Sequence, residues 1–141
     1  MNIKRISDKA IIPTYGSENA AGMDMYSIDT VTIEPGQTVM VHTGICMEIP
    51  DGYYGALCPR SGLATKRGLR LANCVGVIDS DYRGEVIAAL YNDSAAPQEI
   101  REGDRIAQLI ISPYVRPGTL NEVDDLTNTD RGAGGFGHTG R

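Results

Sequence analysis

The sequence predicts a single all-β domain, built as a sandwich or a barrel. Short apolar runs recur along the 141 residues, and clusters of turn-forming residues separate them. The longest run alternates apolar and polar side chains, as a strand with one buried face does. Only one stretch, about two turns long, favours a helix. Many short strands with little helix are typical of two packed antiparallel sheets or one closed sheet.

The first half of the chain supplies five of the predicted strands. The longest, TVMVHTGICMEI (38–49), places Val41 and Ile45 on one face and Met40 and Glu48 on the other. The turn residues PDG (50–52) follow, so we expect this strand to form a hairpin with the next one. The other four runs are NIKRI (2–6), MDMYSI (23–28), VTI (31–33) and YYGALC (53–58).

The second half begins with the helical candidate SGLATKR (61–67), for which Ser61 is the expected N-cap. After Pro117 the chain becomes polar and glycine-rich, which is typical of a flexible arm. We therefore divide the chain into a core domain, 1–117, and a C-terminal arm, 118–141. The remaining predicted strands are LRLANCVGVI (69–78), EVIAALYN (85–92) and RIAQLIIS (105–112).

Composition excludes several classes of protein. The net charge of −5 argues against direct nucleic-acid binding, which relies on basic patches. No apolar run approaches the length of a membrane span, and the segment MNIKRISDKA lacks the apolar core of a secretory signal. Cys46, Cys58 and Cys74 form no C-x-x-C pair, so we expect reduced thiols, no zinc site, and a cytoplasmic or nuclear protein.

Two polar motifs are candidates for a site of chemistry. In GVIDSDYRGE (76–85), an extended chain would project Asp79 and Asp81 from one face. The two acids are either a general base with its partner or part of a solvated turn between strands. PRSGLA (59–64) places an arginine and a serine at the start of the helical candidate. These groups suit an anion, although a capped loop with an exposed arginine explains them equally well.

Three other stretches hold residues in unusual places. Gln108 lies within the apolar run of GDRIAQLI (103–110) and must find a partner in the fold or on a ligand. Asp24 lies between two methionines of AAGMDMYS (20–27), on a solvent face or near a metal. Phe136, the chain's single phenylalanine, lies in the glycine-rich RGAGGFGHTGR (131–141), which favours a lid over simple disorder.

In this order and at these intervals, the five motifs resemble those of the dUTPase family. The resemblance covers the chain from about Ala20 to Gly140. It implies a jelly-roll subunit that assembles as a homotrimer, with active sites shared between the subunits. It also implies hydrolysis of dUTP to dUMP and pyrophosphate with Mg²⁺ bound to the triphosphate, which keeps uracil out of DNA and supplies dUMP for thymidylate synthesis.

The resemblance also implies a role for each site residue of the core. Asp79 matches the base that activates the attacking water, and Tyr82 matches the ring that leaves no room for a 2′-hydroxyl. Asp24 matches an acid that reaches Mg²⁺ through water. The expected uracil contacts are Asn73, Gly76 and Val77, and the expected phosphate contacts are Arg60, Ser61, Gly62 and Gln108.

In the arm, the resemblance makes Arg131 a γ-phosphate contact and Phe136 the aromatic that stacks on uracil. Gly137 and Thr139 would contact phosphate, and His138 replaces the serine that is usual in the family. Two alternatives stay open at this point. One is a nucleotide-gated protein-binding module, and the other is a dCTP deaminase, which a nearly complete dUTPase arm motif disfavours.

Overall fold

The computed structural model describes residues 1–135, and within them it contains eleven strands and one short helix. The predicted all-β class is therefore confirmed. The elements are β1 (Asn2–Arg5), β2 (Thr14–Tyr15), β3 (Met23–Tyr26), β4 (Val31–Ile33), β5 (Thr38–Glu48), β6 (Tyr53–Cys58), α1 (Ser61–Arg67), β7 (Leu69–Leu71), β8 (Gly76–Ile78), β9 (Glu85–Asn92), β10 (Gln98–Ile100) and β11 (Arg105–Pro113).

Two antiparallel sheets form the layers of a jelly-roll-like sandwich. One has the order β1-β5-β9-β7, the other has the order β2-β3-β11-β6-β8, and β4 pairs with β10 in a small third sheet. Apolar side chains from both layers meet in one core. Burial of such surface contributes about 25 cal/mol per Å² and drives the two layers together. The fully buried members of the core include Met25, Ile33, Val41, Ile45, Ala88, Ile100, Ala107 and Leu109.

The alternation predicted for β5 is confirmed. Val41, Ile45 and Met47 are buried, whereas Met40 and Glu48 are exposed. The pairing of β5 with β9 is interrupted between His42 and Cys46, where a bulge occurs. The chain thus keeps its apolar face on the core despite the irregularity.

The hairpin predicted for β5 and β6 is wrong, because these strands belong to different sheets. The turn itself forms, since the Tyr53 amide donates to the Pro50 carbonyl at 3.1 Å. However, β6 already has β11 on one edge and β8 on the other, so no edge is free for β5. The turn therefore carries the chain from one layer to the other.

Two further local predictions are wrong. The run LRLANCVGVI divides into β7 and β8, because the chain turns sharply at Cys74, which has a φ of 62°. Ser61 is the first residue of α1 and not its N-cap. Arg60 takes the N-cap position in an extended conformation and makes no side-chain capping bond. Local sequence signals thus located both segments but missed the break at Cys74 and the residue that caps α1.

Beyond β11, residues 114–135 contain no strand or helix in the described chain. Their apolar side chains are highly exposed, with Val115 at 93% and Leu120 at 87%. This agrees with an arm outside the sandwich, and the boundary at residue 117 stays a prediction. Within residues 1–135, no helix is long and apolar enough to cross a membrane.

Candidate active site

The predicted core residues form two clusters on the five-stranded sheet. The Asp24 cluster comprises Asp24, Arg60, Arg105 and Gln108, and the Asp79 cluster comprises Asn73, Gly76, Val77, Asp79 and Tyr82. The Asp24 cluster lies on β3, on β11 and in the segment before α1, and the Asp79 cluster lies on β8 and in the loops on either side of it.

Asp24 occupies the outer face of β3, since its neighbours Met23 and Met25 are buried. Its carboxylate is bound by two guanidinium groups. Arg60 Nε lies 3.1 Å from Oδ1, and Arg105 Nη1 lies 3.1 Å from Oδ2. The Asp24 side chain is only 13% exposed. Two cations thus surround one carboxylate, leaving an excess of positive charge beside it that suits an anion.

Gln108 lies directly beside Asp24, as its register partner across β3 and β11. Its Nε2 donates to the Pro59 carbonyl at 2.9 Å, which holds the segment before Arg60 against β11. A Cβ at Gly22 would lie 2.9 Å from Gln108 Oε1, so a side chain at this position would shift the Gln108 amide. The amide therefore has a partner in the fold, and its ligand role stays a prediction.

Ser61 and Gly62 follow Arg60 at the start of α1, and both are exposed. A Cβ at Gly62 would meet no atom within 4 Å. The surface beside Arg60 is thus open, with space for a bound molecule.

The Asp79 cluster lines a cavity of about 320 Å³. Asn73, Gly76 and Val77 form one wall, and Asp79 and Tyr82 lie beside it. Apolar surface from the neighbouring sheet is added by Met40, Ile87 and Ala89. An apolar hollow with a few polar groups is the usual form of a small-molecule site.

The loop after β8 is closed by its own hydrogen bonds. The Tyr82 amide donates to the Asp79 carbonyl at 3.2 Å, and Arg83 Nη1 donates to the Ser80 carbonyl at 2.7 Å. The strand ends at Ile78 and a turn begins at Ser80, so the chain is not extended through Asp79 and Asp81, and the turn between strands that the sequence also allowed is the conformation observed. The hydrogen bonds that close this turn end the strand at Ile78.

Glu85, which the sequence did not single out, supports this loop from β9. Its Oε1 accepts hydrogen bonds from the amides of Thr43 and Gly44, at 3.1 and 2.7 Å. Its Oε2 lies 2.8 Å from His42 Nδ1. This hydrogen bond raises the pKa of His42, although partial burial acts in the opposite direction. Arg83, Glu85 and Arg105 all lie inside quoted motifs, but only their long-range contacts reveal what they do.

The two clusters do not adjoin within one chain. β11 and β6 separate β3 from β8, so three strand spacings, about 14 Å, lie between the backbones of Asp24 and Gly76. Arg131 is exposed, with its Nε donating to the Gly134 carbonyl at 2.9 Å. The predictions for Phe136, Gly137, His138 and Thr139 lie outside the described residues.

The sequence and the fold of this chain are similar to those of known proteins. The dUTPase family model matches residues 8–140. The deoxyuridine 5′-triphosphate nucleotidohydrolase of Nautilia profundicola is 46% identical over 141 residues, covering 100% of this chain and 99% of that protein. The protein of the same name from Methylocella silvestris is 49% identical over 146 residues, covering 99% and 91%.

Solved structures give the same result. A mutant dUTPase of Staphylococcus bacteriophage 80alpha, with dUpNHpp, has a TM-score of 0.93 at 28% identity and covers 99% of this chain and 98% of that one. A mutant dUTPase from phage phi11 of S. aureus, described as coordinating a structural Mg(II) ion, has a TM-score of 0.83 at 27% identity, with coverage of 90% and 98%. The chain belongs to the dUTPase family.

Proposed function

We propose that this chain hydrolyses dUTP to dUMP and pyrophosphate, with Asp79 directing water to the α-phosphorus. The observation that carries the proposal is the position of Asp79, exposed at a cavity that Asn73 and Tyr82 also line. A carboxylate there can accept a proton from water while a nucleotide occupies the hollow.

The cavity residues divide between the base and the sugar. The turn that carries Asn73, together with Gly76 and Val77, offers backbone and amide groups to uracil. The Tyr82 ring packs under the deoxyribose and blocks a 2′-hydroxyl. A wall that rejects a single methyl contributes only about 1–3 kcal/mol, so exclusion of dTTP also needs the hydrogen bonds to uracil.

The Asp24 cluster binds the triphosphate. Arg60 offers a planar fork to the phosphate oxygens, and Arg105 lies beside it on the same carboxylate. Ser61, Gly62 and Gln108 complete this surface. Phosphoryl transfer depends mainly on alignment and on stabilising the charge of the phosphate oxygens, and these are the groups that supply both.

Magnesium fits this donor set as a partner of the nucleotide. Among residues 1–135, no group of three or more metal-ligating side chains occurs, so these residues offer no cage made of protein ligands alone. Mg²⁺ commonly keeps several waters and binds through phosphates with one or two carboxylates. Asp24 would hold it through water. When bound, the ion neutralises charge on the phosphate oxygens.

The separation of the clusters supports a homotrimer in which one chain supplies Asp79 and a neighbour supplies the Asp24 cluster. The arm, 118–141, would then close over the nucleotide, with Arg131 on the γ-phosphate and Phe136 on the uracil. Gly137, His138 and Thr139 would contact phosphate. Closure of such an arm excludes water and completes the charge-stabilising groups.

The test is a pyrophosphate-release assay on dUTP, dTTP, dCTP and UTP, with and without Mg²⁺. We expect a kcat/KM for dUTP that is at least about 100-fold higher than for the other three, with a further gain from the ion. Equal rates on all four nucleotides would contradict the assignment. Ammonia release from dCTP would favour a deaminase instead.

A further inference from the structure

We propose that Gly84 and Glu85 are positioning residues that fix the Tyr82 ring and thereby set the rejection of ribonucleotides. The inference rests on the proposed function, since it concerns the selectivity of the same site. It is carried by the contacts of Tyr82, in the loop after β8, with Gly84 and Glu85, and by the contacts of the Glu85 side chain, at the start of β9, with the bulge of β5.

Gly84 is a glycine because the Tyr82 ring lies against its backbone. A Cβ at this position would fall 2.5 Å from Cζ of Tyr82 and 2.9 Å from Cε2. The φ of Gly84 is not left-handed, so the requirement is for space and not for conformational freedom. Any side chain here would displace the ring.

Glu85 holds the same, hydroxyl-bearing end of the ring. The Tyr82 hydroxyl donates to the Glu85 carbonyl at 3.0 Å. The Glu85 side chain is only 15% exposed, and it accepts the amides of Thr43 and Gly44 in addition to its contact with His42. The residue that holds the Tyr82 hydroxyl is therefore itself held by several hydrogen bonds.

The bulge that anchors Glu85 is closely packed and hydrogen-bonded. Gly44 has a φ of 67°, and a Cβ there would lie 2.8 Å from the Cβ of Ala10. The Thr43 hydroxyl donates to the Val86 carbonyl at 2.6 Å and ties the bulge to β9. The position of the Tyr82 ring thus depends on residues far earlier in the chain, in the opposite layer of the sandwich.

A ring rejects an extra hydroxyl only if it cannot move aside. Tyr82 is 45% exposed, so packing alone leaves its side chain room to change rotamer. Gly84 leaves the space that the ring occupies, and the hydrogen bond to the Glu85 carbonyl supplies the missing restraint. Sites whose side chains are locked by surrounding contacts discriminate more sharply than loose ones.

The first test replaces Gly84 with alanine and measures kcat/KM for dUTP and UTP. We expect the dUTP-to-UTP ratio to fall about tenfold or more, because the displaced ring admits the 2′-hydroxyl. The same substitution in a Tyr82→Ala background should leave that variant's ratio unchanged. Equal effects of Gly84→Ala in both backgrounds would overturn the inference, since the glycine would not act through the ring.

The second test uses Glu85→Gln, which keeps the shape of the side chain and removes its charge. We expect the ratio to fall about threefold or more, because charged acceptors make the stronger hydrogen bonds. The matched control is Glu102→Gln, at an exposed carboxylate 2.7 Å from Lys9 Nζ. We expect this variant to keep the wild-type dUTP-to-UTP ratio. Melting temperatures show which variants fold. If Gly84→Ala does not fold, the dUTP-to-UTP ratio of Glu85→Gln tests the inference.

These results separate the inference from the proposed function. Wild-type protein that prefers UTP or ignores dUTP contradicts the function itself. Wild-type protein that selects dUTP, with the same selectivity in folded Gly84→Ala and Glu85→Gln variants, contradicts only the inference.

Discussion

Asp79→Asn is expected to abolish pyrophosphate release from dUTP while nucleotide binding persists. Asparagine keeps the shape of the side chain but cannot take a proton from water. General bases typically contribute about 10²–10⁴-fold to rate, so the loss should fall in that range or beyond. Turnover and the Kd of a non-hydrolysable analogue, dUpNHpp, are the two measurements.

The matched control for this prediction is Asp81→Asn. Asp81 is exposed in the turn of the same loop, a short distance further along the chain. We expect nearly wild-type turnover from this variant, because Asp79 lines the cavity and Asp81 does not. Full activity in Asp79→Asn, or an equal loss in both variants, would remove Asp79 from its role.

Arg60→Ala is expected to reduce kcat/KM for dUTP by about 100-fold or more. The guanidinium fork would be lost from the phosphates, where its contacts are charge-assisted. Asp24 would also lose one of its two cationic partners, and only Arg105 would remain. If Arg60 acts mainly in the transition state, kcat should fall more than KM rises.

Arg101→Ala is the control for loss of an arginine. Its guanidinium lies 2.8 Å from Glu99 in an exposed pair, and such pairs contribute little to stability. We expect its kinetics to match the wild type, with a similar melting temperature. A comparable loss of activity in both variants would point to net charge, and not to the Asp24 cluster, as the cause.

The fold was predictable from the sequence to the extent that local patterns determine it. The alternation in β5 identified its buried face, because one side of a strand must cover the core. The partner of β5 was not predictable in the same way. Its pairing depends on which sheet edges are free, and β11 and β8 occupy both edges of β6.

The site was predictable as a set of motifs, and less so as an arrangement. Asp79 and Asp24 both stood out as acids in unusual contexts. The support that Glu85 gives to Tyr82 could not be found from sequence, because it depends on a bulge in β5, a strand that pairs with β9 but lies much earlier in the chain. The strand order that separates the two clusters is likewise a property of topology.

We propose that one active site uses Asp79 from one subunit and the Asp24 cluster from another. Co-refolding equimolar Asp79→Asn and Arg60→Ala chains, each with its own affinity tag, tests this in trimers purified through both tags. By the cyclic symmetry of a trimer, about one site in three then combines an intact Asp79 with an intact Arg60 of the neighbouring chain. We predict that dUTP hydrolysis recovers to about that fraction of wild type. Mixed trimers no more active than the two parents would contradict the claim.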